Sequence, residues 1–326
     1  MAEVTYLEAL RQGLREEMRR DPNVLLIGED IGVYGGAFKV TAGFLAEFGP
    51  TRVIDTPISE TAIVGAAAGA AHMGFRPVVE MQFIDFIASA YDIITNYVAT
   101  ARYRAGLATP IVVRGPSGGY VRGGPFHSQM PEAAFFHTPG LKLVCPATVR
   151  DAKGLIRAAI RDDDPVIYFE HKYLYRRLKE DLSENEDVFT PIGEARIVRE
   201  GTDLTIVSWS AVLWHVLDAA TKISEQDGAS IEVIDLRTLL PMDHQAIVSS
   251  VRKTNKLLIV HEDTRTGGIA GEITARIQEE AFAWLDGPIM RVTAEDTPLP
   301  YSAPLEDIVL PQTADIVNAA RQLLAY

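Results

Sequence analysis

Short apolar runs typical of buried strands alternate along this chain with segments of helical periodicity. The first helix is predicted over residues 5–20, where leucines share one face and Thr5 with Glu8 forms a capping-box pattern. Further helices are predicted over residues 59–74, 86–104, 148–161, 211–225, 243–254, 269–280 and 313–325. Strands are predicted over residues 24–27, 52–55, 77–81, 111–114, 143–145, 166–169, 204–209, 231–234, 257–260 and 289–292.

Strands that alternate with helices predict an α/β fold with mostly parallel sheets covered on both faces. The charged stretch over residues 171–186 carries no continuous apolar face and is interpreted as the exit from a first domain. The alternation restarts after it. A chain of 326 residues is long enough for two ordinary domains, and we expect them over residues 1–185 and 186–326.

Composition and charge narrow the class of protein. The chain is 47% hydrophobic and 23% charged, which suits a sizeable core, and its net charge of −13 argues against non-specific binding to nucleic acid. One cysteine, Cys145, excludes an intrachain disulfide and suits a reducing cytoplasm. No apolar signal core opens the sequence, and no window approaches the ~20 apolar residues of a membrane span. We therefore expect a soluble cytoplasmic protein.

The most informative stretch runs from residue 52 to residue 86. Glu60 follows a short strand and a proline turn, at the start of a helix built largely of alanine and glycine. Parallel sheets bind ligands at this kind of edge. A carboxylate at a helix N-terminus also caps the helix, and position alone favours that structural role. Apolar neighbours such as Ile58 and Ile63 favour instead a carboxyl group that exchanges protons.

Neither of the common glycine-rich phosphate motifs is present, because no two glycines are spaced as G-x-G and no G-x-x-x-x-G-K-[ST] occurs. Residues 115–119 do match the G-x-S-x-G of an esterase nucleophile elbow, with Ser117 at its centre. That elbow must lead straight into a helix. Here a glycine-rich stretch follows, so a loop is preferred to a hydrolase.

The segment over residues 115–140 is too long and too rich in glycine to be an idle connection. It carries His127 and His137. A loop histidine is more often solvated than catalytic, but long loops at strand ends commonly carry function, so both interpretations of His127 stay open. The histidines show no metal-binding spacing, and four are interpreted as structural: His72, His215, His244 and His261.

Two further patterns have more than one interpretation. Small residues around Gly65 and Gly69 allow close helix packing, either within the chain or at a subunit interface. The run from Asp162 to Asp164 has the ordinary explanation of a solvated helix end. Carboxylates beside main-chain carbonyls also suit a hard cation.

Several segments together carry a resemblance to a known family: TRVIDTPISE, GAAAGAAHMGFRPVVEMQF, RGPSGGYVRGGPFHSQMPEAAFFHTPGLKLVCPAT, DPVIYFEHKYLYR, IEVIDLRTLLPMD and GGIAGEI. Over essentially its whole length the chain resembles the beta subunit of the thiamine-diphosphate-dependent 2-oxo acid dehydrogenases, the decarboxylating first component. The resemblance implies a pyrimidine-type domain followed by a transketolase C-terminal-like domain. It implies oxidative decarboxylation of a 2-oxo acid and acyl transfer to lipoamide.

The resemblance also implies partners and cofactors. The chain would act in an α2β2 heterotetramer whose alpha subunit holds the diphosphate of the cofactor with magnesium. The complex would include a dihydrolipoyl acyltransferase core with its lipoyl domain. A structural potassium ion is implied at positions matched by Ile111, Ala159, Asp162 and Asp164.

The same resemblance assigns the site residues. Glu60 matches the glutamate that hydrogen-bonds a pyrimidine ring nitrogen, and His127 matches the histidine that meets substrate and lipoamide. Ile58, Gln82 and Phe86 match positions that line the pyrimidine ring.

The substrate is suggested by the sequence around the loop histidine. Residues 123–129, followed by Pro131-Glu132-Ala133, resemble the branched-chain type, so 2-oxoisovalerate is favoured. Pyruvate and acetoin enzymes are the nearest alternatives. A non-catalytic scaffold that docks the acyltransferase is the alternative from a different class.

Overall fold

The computed structural model describes residues 3–183 and 186–326, and the chain forms two compact units. Unit 1 comprises Met1–Ser117 with Ala134–Ile192, and unit 2 comprises Gly118–Ala133 with Gly193–Tyr326. The middle of the glycine-rich segment, Gly118–Ala133, therefore groups with the second unit, and its two ends group with the first. The predicted boundary between residues 185 and 186 touches a residue outside the described part and stays a prediction.

Strands and helices alternate along most of the chain. The strands are β1 (Glu3–Thr5), β2 (Val24–Gly28), β3 (Val53–Asp55), β4 (Arg76–Glu80), β5 (Val112–Ser117), β6 (Lys142–Val144), β7 (Val166–His171), β8 (Lys179–Asp181), β9 (Arg196–Arg199), β10 (Leu204–Ser208), β11 (Ile231–Asp235), β12 (Thr238–Leu240), β13 (Leu257–Thr264) and β14 (Met290–Ala294). The α-helices are α1 (Tyr6–Arg20), α2 (Phe44–Phe48), α3 (Glu60–His72), α4 (Ala101–Ala105), α5 (Glu132–Phe136), α6 (Val149–Arg161), α7 (Val212–Asp227), α8 (His244–Thr254), α9 (Ala270–Ala281), α10 (Ala303–Val309) and α11 (Thr313–Leu324).

The main sheet of unit 1 is parallel. Strands β2 to β7 lie in the order β6-β7-β5-β4-β2-β3, and β1 pairs with β8 in a separate antiparallel ribbon. Strands β2, β5 and β7 are buried along their whole length, as expected for a sheet covered on both faces. Because β3 and β4 flank β2 on opposite sides, the chain order reverses there. Ligands bind at the carboxyl ends of strands at such a point.

A buried ion cluster joins three strands of this sheet. The guanidinium of Arg114 on β5 bonds to the carboxylates of Glu80 on β4 and Glu170 on β7, and the Tyr175 hydroxyl donates to Glu170 Oε2 at 2.5 Å. Burial lowers the pKa of Arg114, but the two carboxylates outweigh burial and hold that pKa well above its usual value. Loss of one partner would leave a buried charge unpaired, at a cost of about 3–5 kcal/mol.

The first helix forms as the sequence predicts. The capping box of Thr5 and Glu8 is present, and the helix begins at Tyr6. Its buried Glu17 accepts hydrogen bonds from Arg157 at 3.2 Å and Arg161 at 2.6 Å on α6. These bonds join α1 to α6 on one face of the sheet.

Unit 2 has its own sheet in the order β14-β13-β10-β11-β9, in which only β9 runs antiparallel to its neighbour among the described strands. The central strand β10 is flanked by β11 and β13. The carboxyl ends of β10 and β13 therefore form the reversal point of unit 2.

The prediction of a single long helix over residues 86–104 is wrong. The structure has a 3₁₀ segment at Ile84–Ala90, a π-helical segment at Ile93–Val98 and then the short α4. The Thr95 hydroxyl donates to the Tyr91 carbonyl at 2.9 Å, and the Thr100 hydroxyl donates to that of Asn96 at 2.8 Å. Such side-chain bonds compete with the helical ladder and bend it, which the apolar periodicity does not reveal.

None of the helices in the described part of the chain has both the length and the apolarity that a membrane crossing requires.

Candidate active site

Glu60 is the first residue of α3, just beyond the carboxyl end of β3. Its N-cap residue, Ser59, makes no capping hydrogen bond. The Glu60 side chain is half-buried, and the Ser89 hydroxyl lies 3.4 Å from Oε2 while bonding the Phe86 carbonyl at 2.6 Å. Within residues 3–183 and 186–326, Glu60 has no ion pair. Its carboxylate is therefore weakly engaged at the ligand-binding edge of the sheet.

A second carboxyl group, that of Glu29, interacts electrostatically with Glu60. Burial raises the pKa of Glu29, and the negative charge of Glu60 raises it further. Among the described residues, its Oε1 atom is buried without a hydrogen-bond partner. A pair of carboxyl groups of which one holds its proton more readily is suited to proton exchange.

Glu29 is not among the site residues that the sequence predicts. The available signal was its position directly after β2, at the same edge of the sheet as Glu60. That signal is only interpretable once the strand order shows that β2 and β3 are neighbours.

The three predicted pyrimidine-lining residues also follow β3 and β4. Gln82 donates from Nε2 to Asp30 Oδ2 at 3.0 Å, which engages one of the two N–H groups of its amide. Phe86 is half-buried and lies edge-on to Phe83, with ring centroids 6.3 Å apart. The side chain of Ile58 is 82% exposed, so it is open to a ligand or a second chain.

The chemical character of these side chains suits a flat heteroaromatic ring that carries ring nitrogens. The Glu60 carboxyl group is able to bond such a nitrogen, while Phe86 offers an aromatic ring and Ile58 an uncovered apolar surface. In the part of the chain that the structure describes, no group of three or more His, Cys, Asp or Glu side chains is arranged to hold a metal ion.

Basic side chains surround the aspartates matched to a potassium site. Lys142 Nζ lies 2.8 and 2.6 Å from the two carboxylate oxygens of Asp162, and Arg102 pairs with Asp164. Arg76 donates to the Asp162 carbonyl at 2.9 Å. Because this positive charge compensates the carboxylates, a cation here would depend on main-chain oxygens.

Two of the matched main-chain oxygens are partly engaged. The Ile111 carbonyl accepts from the Val166 N–H at 3.0 Å, and the Ala159 carbonyl accepts from the Asp162 N–H at 3.3 Å. Each carbonyl oxygen has a second lone pair. Potassium binding stays a prediction.

His127 belongs to unit 2, on the loop Gly118–Ala133. It is half-buried, and its N–H donates to the Gly124 carbonyl at 3.3 Å. The Gly118 N–H donates to the Gln129 carbonyl at 2.8 Å, which closes the base of the loop. The structure thus groups Glu60, Gln82, Phe86 and Ile58 in unit 1, and His127 in unit 2.

The G-x-S-x-G match does not form a nucleophile elbow. Ser117 is the last residue of β5 and is fully buried, and its hydroxyl donates to the Glu170 carbonyl at 2.7 Å. A nucleophile elbow exposes its serine on a turn beyond the strand. The burial of Ser117 therefore also argues against a hydrolase, as the sequence of the loop does.

Comparison with known proteins shows two domain matches in succession. Residues 2–177 match the transketolase pyrimidine-binding domain, and residues 193–316 match the transketolase C-terminal domain. A solved structure described as "Split gene transketolase, inactive beta4 tetramer" aligns with a TM-score of 0.81 over 99% of this chain and 98% of that chain. At 22% identity, that likeness supports the fold alone.

Several relatives match along their whole length. The 2-oxoisovalerate dehydrogenase subunit beta of Bacillus subtilis (strain 168) is 44% identical over 100% of both chains. The pyruvate dehydrogenase E1 component subunit beta of Staurastrum punctulatum is 47% identical over 99% of this chain and 98% of the relative. The corresponding pyruvate dehydrogenase subunit of Bacillus subtilis is 42% identical over 100% of both.

The fold and the domain matches define a protein of the transketolase type, built from a pyrimidine-binding domain and a C-terminal domain. Within that class, the chain belongs to the family of beta subunits of the thiamine-diphosphate-dependent 2-oxo acid dehydrogenases, which are oxidoreductases. The α/β fold and the family that the sequence predicts are confirmed.

Proposed function

We propose that this chain is the beta half of a 2-oxo acid dehydrogenase that oxidatively decarboxylates its substrate and passes the acyl group to lipoamide. The observation that supports this best is Glu60, a half-buried carboxylate just beyond the carboxyl end of β3. It has no ion pair in the described chain, and its negative charge raises the pKa of the nearby Glu29. A carboxylate placed there only for stability would usually be paired or fully solvated.

Thiamine diphosphate, when bound, supplies a nucleophilic carbon and takes up the electrons released as carbon dioxide leaves. Glu60 would exchange a proton with a ring nitrogen of the pyrimidine, and Glu29, with its raised pKa, would limit the negative charge beside it. Phe86, Gln82 and Ile58 would line the ring. His127 orients substrate and lipoamide, or donates a proton to them.

The partners follow from what this chain lacks and from how its relatives are named. Neither glycine-rich phosphate motif occurs in the sequence, and the three relatives described above are each named as a beta subunit. We therefore assign the diphosphate and magnesium to an alpha subunit in an α2β2 heterotetramer, which acts with an acyltransferase core and its lipoyl domain. We also propose that the protein is located in the cytoplasm and that it binds a potassium ion.

The preferred substrate is a branched-chain 2-oxo acid of the 2-oxoisovalerate type. The support is the sequence of residues 123–129 around His127. Relatives named for pyruvate match as well as the one named for 2-oxoisovalerate, so pyruvate is the alternative that the experiment must separate, with acetoin beside it.

The test supplies 2-oxoisovalerate, pyruvate or acetoin together with thiamine diphosphate and magnesium, and measures reduction of an artificial electron acceptor. We expect no turnover by this chain alone and turnover after co-expression with an alpha subunit, fastest with 2-oxoisovalerate. Turnover by the isolated chain would overturn the assignment of the diphosphate to the partner. Fastest turnover of pyruvate would overturn the substrate assignment only. Fastest turnover of acetoin, which has no carboxyl group, would overturn the proposed decarboxylation as well.

A single substitution separates the enzyme from a non-catalytic scaffold. In the assembled protein, Glu60→Gln is expected to lower decarboxylation by about 100-fold or more, since general acid–base groups contribute about 10²–10⁴-fold. The matched control Glu47→Gln alters a surface carboxylate of unit 1 and should leave the rate unchanged. If Glu60→Gln assembles and keeps the wild-type rate, Glu60 does not act on the cofactor.

A further inference from the structure

The loop Gly118–Ala133, which carries His127, is anchored at its N-terminal end to the rest of unit 2. The Gly119 N–H donates to the carboxylate of Glu262, which lies near the end of β13 and is 4% exposed. A side chain added at Gly119 would meet Leu310 at 2.6 Å, so the main chain sits directly against unit 2 here. This hydrogen bond anchors the loop to β13, one of the two strands at the reversal point of the unit 2 sheet.

A second attachment lies between Gly119 and the histidine. The Arg122 N–H donates to Glu306 Oε1 at 3.1 Å, and its guanidinium bonds Glu306 Oε2 and lies 2.8 Å from Asp307. Glu306 on α10 is fully buried. One buried carboxylate thus receives both the main chain and the side chain of a single loop residue, which fixes its position and its orientation.

A third attachment holds the C-terminal side of the loop. The indole N–H of Trp209, which follows β10, donates to Glu132 Oε1 at 3.1 Å. Trp209 is itself stacked on His261, with ring centroids 5.2 Å apart and planes 12° apart. Burial raises the pKa of Glu132 well above its usual value, and Asp263 adds to the shift. His127 therefore lies between anchored segments.

The backbone between these attachments is strained. Tyr120 has φ 59° and Arg122 has φ 64°, the left-handed region that residues with side chains rarely adopt. Both residues make hydrogen bonds to other parts of unit 2. Arg122 donates to Glu306, as described above, and the Tyr120 hydroxyl donates to the Pro311 carbonyl at 2.9 Å. Such conformations persist only where surrounding contacts over-determine them, and they cluster at functional segments.

We propose that Glu262 and Glu306 are positioning residues of the active site: two buried carboxylates of unit 2 that hold the loop Gly118–Ala133 and so fix where His127 meets substrate. This inference rests on the proposed role of His127. Unit 2 then contributes to catalysis through strand β13, which carries Glu262, and helix α10, which carries Glu306. A misplacement of about 1 Å in a positioned group is enough to lower a rate by about 100-fold.

The first test is independent of activity. Glu306→Gln removes the charge of the buried carboxylate, so Arg122 keeps only its more exposed ion pair with Asp307, and trypsin should cut the full-length chain after Arg122 several-fold faster than in wild type. The matched control is Glu232→Gln, another fully buried carboxylate of unit 2, which bonds Ser250 and Lys253 and not the loop. Equal cleavage of Glu306→Gln and wild type would overturn the proposal.

The second test uses the enzyme assembled with its alpha subunit and measures acyl transfer to a lipoyl domain. We expect Glu306→Gln and Glu262→Gln each to lower kcat by about 10- to 100-fold with little change in KM, and Glu232→Gln to match wild type. Having two variants keeps the test decisive if one does not fold. Wild-type kcat in both variants would overturn the proposal.

The third test is a double-mutant cycle with His127→Ala. If Glu306 acts through the histidine, Glu306→Gln should change the rate of His127→Ala by less than about twofold. Multiplicative losses would overturn the positioning role and leave the proposed function standing. A wild-type rate in His127→Ala would instead overturn the role of His127, and the inference with it.

Discussion

At the residue scale, the pKa of Asp263 shows how unit 2 tolerates buried acid groups. Burial raises this pKa to about 6, although hydrogen bonds from the main chain of Thr264 and Ala133 lower it. The Thr264 N–H donates to Asp263 Oδ1 at 2.8 Å. The negative charge of Glu262 also raises the value. Compared with the unfolded chain, the folded protein therefore shifts this side chain towards its neutral form.

This shift predicts a pH dependence of stability. The pKa of an unfolded aspartate is about 3.9, so between about pH 4 and pH 6 the folded state binds more protons, and stability falls as pH rises through that window. Asp263→Asn removes the titrating group, so the variant should not lose stability as pH rises through this window. We expect the variant to exceed wild type by about 1–3 kcal/mol in free energy of unfolding at pH 8, and to match it near pH 4. Urea unfolding of the isolated chain measures both values.

The comparison between the two pH values is its own control, because any effect of the amide on packing is common to both. A difference between variant and wild type that is the same at pH 4 and pH 8 would contradict the raised pKa of Asp263.

At the element scale, α1 and α3 use glycine for different purposes. A methyl group added at Gly13 of α1 would lie 2.6 Å from Ile156 Cγ2 and 3.0 Å from the Lys153 carbonyl on α6. Additions at Gly65 and Gly69 of α3 would meet nothing within 4 Å. The buried face of α3 consists of other residues: Ile63, Val64, Ala67, Ala68 and Ala71. Close packing within the described chain therefore explains Gly13 but not the glycines of α3.

The contrast predicts opposite effects of the same substitution. Gly13→Ala should destabilise the isolated chain by about 1–3 kcal/mol, because it overpacks the contact with α6. Gly65→Ala should be neutral or stabilise it by up to about 1 kcal/mol, because alanine has the higher helix propensity. Thermal and urea unfolding of the two variants give the comparison. Equal destabilisation by both substitutions would contradict the open space beside Gly65.

At the scale of the whole molecule, the net charge of −13 bears on partners more than on fold. We expect a basic binding domain of the acyltransferase to bind the acidic surface of unit 2, with an affinity that falls as salt rises from about 0.05 to about 0.5 M, since the Debye length shortens over that range. Calorimetric titration at several salt concentrations measures the dependence. An affinity that is independent of salt would rule out an electrostatic contact.

How much the sequence predicts depends on the range of the interaction. Helix α1 and its capping box follow from residues within one turn of each other, and the buried strands follow from short apolar runs. The failure over residues 86–104 has the same origin, because the apolar pattern is helical but does not distinguish α-helical turns from 3₁₀ and π turns. Glu60 was accessible from sequence because a strand end, a helix start and a family motif coincide at one place.

The sequence by itself therefore determined the fold class, the family and the candidate residues that lie inside its motifs. Only the tertiary structure selected Glu29, Glu262 and Glu306. Arg122 and Glu306 are separated by 184 positions, and Gly119 and Glu262 by 143, and no local pattern links them. The physical reason is that a buried carboxylate acquires its role from the donors that folding brings to it, whereas periodicity and capping depend only on near neighbours in the chain.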